Sequence, residues 1–168
     1  YKITPEMFAT WMEILKEIPQ AVLWLIDDNP TTTANIRKHA ASAKADVSRI
    51  LFTGRSAHVE YKAKLKLADV FLDTFPYNCG STTNDVIQVG TPIVTLPGKT
   101  LVSRMGNSIV SAHPCAGLIS HSHADYIQKV KSVSEGYEVF ESNGIQSTKA
   151  KSNIVSVIEK YSKNRDHA

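Results

Sequence analysis

Ala21-Val22-Leu23-Trp24-Leu25-Ile26 is an unbroken apolar run of strand length, and Asp27-Asp28-Asn29-Pro30 ends it abruptly. A run without polar alternation suits a strand buried on both faces, as in a parallel sheet covered by helices. Just upstream, Thr4-Pro5-Glu6 offers an N-cap hydroxyl, a proline for the first helical position and an acid for the first turn. Behind it Met7, Phe8, Trp11, Ile14, Leu15 and Ile18 recur at helical spacing until Pro19 closes the element. The alternation continues downstream. Helical signals cover about 32–44, 57–67, 83–89 and 101–112, with strand signals at 49–53, 70–75, 92–97 and 118–119 between and after them. Two further helical stretches are expected at about 122–133 and 147–163. Strands alternating with helices predict βαβ units, and so a single α/β domain over 1–168. Its fold class is a Rossmann-like parallel sheet with helices on both faces.

The totals agree. The chain has 168 residues, 42% hydrophobic and 21% charged, which is the usage of one globular domain rather than of a disordered segment. Its 19 basic and 16 acidic residues give a net charge of +3, and the basic ones are scattered, so no nucleic-acid partner is expected. Cys79 and Cys115 are the only cysteines and neither sits at a metal-ligand spacing, which argues against a disulfide scaffold and for a reducing, cytoplasmic location. No apolar run approaches the ~20 residues of a membrane helix, so no membrane partner is expected. Tyr1-Lys2-Ile3-Thr4-Pro5 carries no apolar signal core. It also lacks an initiating Met, as a piece of a longer protein would.

In sheets of this class ligands bind beyond the carboxyl ends of the strands, where loops enter helices. The richest such loop is Asp73-Thr74-Phe75-Pro76-Tyr77-Asn78-Cys79-Gly80-Ser81-Thr82-Thr83-Asn84-Asp85. It leaves a strand, turns through Asn78 and Gly80, and presents Gly80, Ser81, Thr82 and Thr83 at a helix start. Unpaired backbone N–H groups and the positive dipole end would meet an anion there. The same hydroxyls serve equally as helix caps, and the residues alone leave both readings open. Asp85, one turn inside, is either an acceptor for a ribose diol or a dipole-favoured surface acid. A second loop, Thr53-Gly54-Arg55-Ser56-Ala57-His58, enters a helix carrying Tyr61 and Lys64. Its backbone could meet a base, with an aromatic ring beside it; packing and a solvated face are the plainer roles for Tyr61 and Lys64.

Other motifs fail. Gly98-Lys99-Thr100 resembles the end of a P-loop, but no glycine precedes it at the spacing a P-loop requires. Neither Gly-x-Ser-x-Gly nor Gly-x-Gly-x-x-Gly occurs. His121 and His123 have no third ligand at metal spacing, so no metal is expected.

The run Leu67-Ala68-Asp69-Val70-Phe71-Leu72-Asp73-Thr74-Phe75-Pro76-Tyr77-Asn78 is distinctive. So is Gly90-Thr91-Pro92-Ile93-Val94-Thr95-Leu96-Pro97-Gly98-Lys99-Thr100 with Ser103-Arg104 behind it. Together with Tyr1 to Pro5 and the strand at Val22–Leu25, they resemble the carboxyl-terminal half of the catalytic region of the O-linked N-acetylglucosamine transferase family, including its bacterial and SPINDLY-like members. The resemblance covers roughly residues 1–130 and is loose beyond.

The resemblance implies the nucleotide-binding half of a GT-B glycosyltransferase. It implies that Lys2 contacts the donor diphosphate and offsets its charge as the nucleotide leaves. Ser56 and His58 fall in the segment that meets uracil. Tyr61 stands where animal enzymes have a histidine, and Lys64 replaces an arginine, which removes a bidentate contact. Ser81 and Thr82 match the Thr-Thr pair that holds the diphosphate, Gly80 takes the place of a histidine, and Asp85 matches the ribose-binding acid.

The implied activity is inverting transfer from a UDP-sugar, UDP-N-acetylglucosamine first among them, to Ser or Thr hydroxyls of proteins. A GDP-fucose donor and a non-catalytic nucleotide-sugar-binding module are the alternatives. No cofactor or metal is implied. The implied partners are a nucleotide sugar, protein acceptors, an amino-terminal GT-B domain and tetratricopeptide repeats, the last two lying outside this chain.

Overall fold

A computed structural model describes residues 1–136, 138–141 and 144–147. Helix α1, Pro5–Glu17, starts as its residues predict: the Thr4 hydroxyl accepts from the Met7 N–H at 3.2 Å and Pro5 occupies the first position. Its buried stripe of Met7, Trp11, Ile14 and Leu15 packs toward α6, His123–Ser134.

Between these helices stand repeated parallel strand–helix–strand units. The apolar run forms β1, Leu23–Ile26, followed by α2, Pro30–Ser42, and β2, Ile50–Thr53. β1 and β2 pair in parallel from Leu23 opposite Ile50 to Ile26 opposite Thr53. After α3, His58–Leu65, the pattern repeats as β3, Phe71–Leu72, then α4, Ser81–Gln88, then β4, Ile93–Val94. β3 and β4 are again parallel, with Phe71 opposite Ile93. Thr95 makes a further parallel bridge to Ile119 across α5, Met105–Ser111. Parallel neighbours joined through helices are the Rossmann-like arrangement expected. Ile50, Val86, Ile93, Val94, Val110, Leu118 and Tyr126 are wholly buried at its centre.

The structure corrects several boundaries. Among the described residues the strands form separate two-stranded pairs rather than one continuous ladder. The helix expected from Thr83 begins two residues earlier. The helix expected over 101–112 is divided into a 3-10 turn, Leu101–Ser103, and α5. The break follows from local ties: the Ser103 hydroxyl donates to the Thr100 carbonyl at 3.0 Å, and the Gly98 N–H donates to the Ser103 carbonyl at 2.8 Å. An unexpected antiparallel pair, β5 (Glu138–Glu141) and β6 (Gly144–Ser147), follows α6. The helix expected over 147–163 lies outside the described residues except for Ser147.

Candidate functional site

The loop from β3 to α4 is tied at almost every residue before the helix begins. The Thr74 hydroxyl donates to the Tyr77 carbonyl at 2.6 Å, and Asn78 Nδ2 donates to the Thr74 carbonyl at 2.7 Å. Asn78 N–H donates to the Val102 carbonyl at 2.9 Å, and Cys79 N–H to Asp73 Oδ1 at 2.7 Å. Gly80 is the N-cap of α4 and, having no side chain, supplies no cap bond. The N–H groups of Gly80, Ser81 and Thr82 therefore meet no acceptor among the described residues. Ser81 is exposed and Thr82 half-buried. Thr83 is different: it is wholly buried, and its hydroxyl donates back to the Cys79 carbonyl at 2.9 Å. What faces outward is thus the amides of residues 80–82 with the Ser81 and Thr82 hydroxyls, a set that can hold an anion at the positive end of an eight-residue helix.

Lys2 reaches this turn from the start of the chain. Its Nζ lies 3.4 Å from the Asn78 carbonyl oxygen, 3.9 Å from Cys79 Sγ and 4.6 Å from the centre of the Tyr77 ring. Tyr1 packs edge-on to the same Tyr77 ring, with centroids 5.2 Å apart. The amino-terminal segment is thereby folded onto the loop, and a cation stands at Asn78 and Cys79, the two residues that precede the Gly80 N-cap.

On the other flank α3 lies against α4. His58 Nε2 and Lys62 Nζ stand 3.4 and 3.6 Å from Asp85 Oδ1, and Lys62 also donates to Gln88 Oε1 at 2.7 Å. The Tyr61 phenol is half-buried; burial pushes its pKa above the usual range, the neighbouring Thr82 side chain opposing this. His58, Tyr61, Thr82 and Asp85 are thus brought together. Lys64 lies on the flank of α3 and pairs with Glu60 at 2.9 Å, its side chain only 12% exposed rather than solvated. Ser56 is half-buried in the loop between β2 and α3.

A groove of about 780 Å³ opens from Gly80, Ser81 and Asn84 along Leu101, Arg104 and Ser108. Arg104, which lines it, donates to the Gly98 carbonyl at 3.0 Å. His123, at the start of α6, shares a 2.7 Å hydrogen bond with the Thr10 hydroxyl through Nδ1 and packs on Phe75. Among the described residues no group of three or more His, Cys, Asp or Glu side chains could hold a metal ion.

Sequence reasoning missed Asp73, Lys62 and Tyr77. A signal existed for Lys62, which stands four residues after His58 on the same helical stripe. Asp73 stood inside the loop that drew attention, but a carboxylate ending a buried strand announces nothing of its partners.

The model of the family described as glycosyl transferase family 41 matches residues 1–164. The UDP-N-acetylglucosamine–peptide N-acetylglucosaminyltransferase of Caenorhabditis elegans is 35% identical over 127 residues, 76% of this chain and 11% of that protein. The probable enzyme of the same description, SEC, from Arabidopsis thaliana is 34% identical over 134 residues, 79% of this chain and 14% of that protein. A rice protein described as the probable enzyme SPINDLY is 28% identical over 131 residues, covering 75% of this chain and 14% of its own. Among solved structures, a mutant O-GlcNAc transferase of Thermobaculum terrenum superposes with a TM-score of 0.75, over 96% of this chain and 28% of that one. At 21% identity this likeness shows the fold. The chain spans only 11–14% of the length of these curated relatives.

Proposed function

The chain belongs to glycosyl transferase family 41, and on that premise we propose that it is the donor-nucleotide half of a protein O-glycosyltransferase acting with UDP-N-acetylglucosamine. The observation that carries this reading is the Lys2 ammonium held 3.4 Å from the Asn78 carbonyl oxygen, two residues before the Gly80 N-cap of α4. The donor diphosphate lies along those amides, with the Ser81 and Thr82 hydroxyls donating to it and Lys2 opposing its charge. Asp85 accepts from the ribose hydroxyls, and the uracil ring packs on Tyr61 beside Ser56 and His58. Lys64, on the flank of that helix, borders the base.

In the reaction a Ser or Thr hydroxyl of an acceptor protein attacks the anomeric carbon from the face opposite the diphosphate. A new carbon–oxygen bond forms as the bond to the diphosphate oxygen breaks, and that oxygen takes the electron pair. The hydroxyl proton passes to a base outside this chain. Lys2 and the amides of residues 80–82 are preorganised against the charge that develops on the leaving group, so no metal ion is required. Acceptor binding falls to a second GT-B domain preceding this one.

Calorimetric titration with UDP and with GDP, with and without magnesium, tests the reading. UDP-selective binding that is independent of magnesium and weakened at least tenfold by Ser81→Ala with Thr82→Ala is the expected result. Preference for GDP would move the donor to a GDP-sugar, and binding of neither would overturn the donor site.

A further inference from the structure

We propose that Asp73 is the positioning residue of the anion-holding turn: by accepting the Cys79 N–H it fixes where the chain's open amides begin. The inference rests on the donor-site reading above and adds to it a residue that touches no ligand. Asp73 is wholly buried at the end of β3. Its main chain is pinned on both sides, the N–H donating to the Val94 carbonyl at 3.0 Å and the carbonyl accepting from the buried Tyr126 hydroxyl at 2.9 Å. The side chain then distributes its lone pairs between two elements. Oδ1 accepts from Thr74 N–H at 2.9 Å and Cys79 N–H at 2.7 Å, while Oδ2 accepts from the Thr95 hydroxyl at 2.7 Å.

The consequence is geometric. With the Asn78 N–H claimed by Val102 and the Cys79 N–H by Asp73, the next amides in the chain are those of Gly80, Ser81 and Thr82. The peptide plane fixed by Asp73 therefore determines the direction in which its successors point. Gly106 belongs to the same device. A Cβ there would collide with Asp73 Oδ2 and crowd the Thr95 hydroxyl, so the first turn of α5 can lie against the carboxylate only as glycine. Burying a carboxylate is costly unless hydrogen bonds compensate it, and here three donors reach it from two flanking elements. A side chain that only filled space would need none of them.

The test separates positioning from folding by comparing probes with and without a diphosphate. Asp73→Leu keeps the approximate shape of the side chain but removes both oxygens, and with them the acceptor of the Cys79 N–H. UDP and inorganic pyrophosphate are titrated calorimetrically, and uridine affinity is followed by ligand-observed NMR, on the whole chain. The expected result is a loss of about tenfold or more for UDP and for pyrophosphate, with uridine unchanged within about twofold. Equal losses for all three probes, or none, would overturn the proposal. Gly106→Ala, which presses on Oδ2 without altering any hydrogen-bonding group, provides the second variant should Asp73→Leu fail to fold, and the same selective loss is expected of it. Wild-type chain that binds pyrophosphate but not UDP would overturn the donor-site reading while leaving the Asp73 comparison intact. Wild type that binds neither would overturn both.

Discussion

Lys2 and Asn78 are 76 residues apart in the chain, yet the Lys2 ammonium lies 3.4 Å from the Asn78 carbonyl oxygen. The contact is only half-buried, and the same Nζ sits over the Tyr77 ring at 4.6 Å, so the ammonium is held in place while still open to solvent on one side. A cation held in this way can oppose charge on a leaving diphosphate without having to be reorganised first. In the full-length enzyme, Lys2→Ala is expected to lower kcat by about 100-fold, as removal of one preorganised oxyanion donor does. Nucleotide KM should move much less. Steady-state kinetics with Lys2→Arg alongside checks this: near-normal turnover of the alanine variant would remove Lys2 from the mechanism.

Asp85 shares one carboxylate oxygen between His58 and Lys62, at 3.4 and 3.6 Å. Its other oxygen makes no ion pair among the described residues, and on the donor-site reading it accepts from the sugar diol. Asp85→Asn is expected to weaken UDP binding by roughly 10- to 100-fold, the worth of hydrogen bonds to a charged acceptor. The affinity for 2′,3′-dideoxy-UDP should hardly change, because that ligand lacks the hydroxyls concerned. Parallel titration of both nucleotides decides the point, and an equal loss for each would make Asp85 a fold residue instead.

Much of this architecture was legible in the sequence because it rests on local rules. The unbroken run at residues 21–26 and the helical spacing of Met7, Trp11, Ile14 and Leu15 gave the correct elements, since both patterns report burial directly. The start of α4 was misplaced by two residues for an identifiable reason. A hydroxyl N-cap was the expected device, whereas the helix begins at Ser81 behind an uncapped Gly80, in a turn held by Asp73. Long-range ties of this kind leave no periodic trace. The Tyr126 hydroxyl on the Asp73 carbonyl, and Lys2 on the Asn78 carbonyl, each join residues more than fifty positions apart. Thr83 illustrates the same limit, because Ser81, Thr82 and Thr83 look alike in sequence and only the fold turns the third inward.

Tyr61 offers two separable contributions. Its hydroxyl neighbours the Thr82 side chain, and its ring stands on α3, the helix packed against α4. Tyr61→Phe keeps the ring and loses the hydroxyl, for which a drop in UDP affinity of about fivefold is expected. Tyr61→Ala also removes the stacking surface, worth about 1–3 kcal/mol for a base on an aromatic ring, and should cost up to about 100-fold more. Pyrophosphate, which has no base, separates the two: Tyr61→Ala should bind it almost as well as wild type does. A matching loss of pyrophosphate affinity would place the role of Tyr61 in the turn rather than at the base.

The buried groups beneath the turn make stability sensitive to alkali. Burial pushes the Cys79 thiol from an ordinary 9.0 up to about 12, with the Asp73 carboxylate adding to the effect and Lys2 opposing it. Burial likewise holds the Tyr126 phenol well above its ordinary 10.0. In both cases the folded state keeps a proton that the unfolded state gives up, so the stability involved is fully present below pH 9 and is lost as pH rises. For Cys79 the window runs from about 9 to about 12, and three pH units correspond to at most roughly 4 kcal/mol. Urea unfolding at pH 8, 9.5 and 11 should therefore show a falling midpoint. Cys79→Ala should flatten part of that fall and Tyr126→Phe another part, even though each variant is less stable at pH 8. A Cys79→Ala protein that keeps the full wild-type slope would mean that the native thiol ionises as freely as an exposed one. That result would be incompatible with its burial between Asp73 and α4.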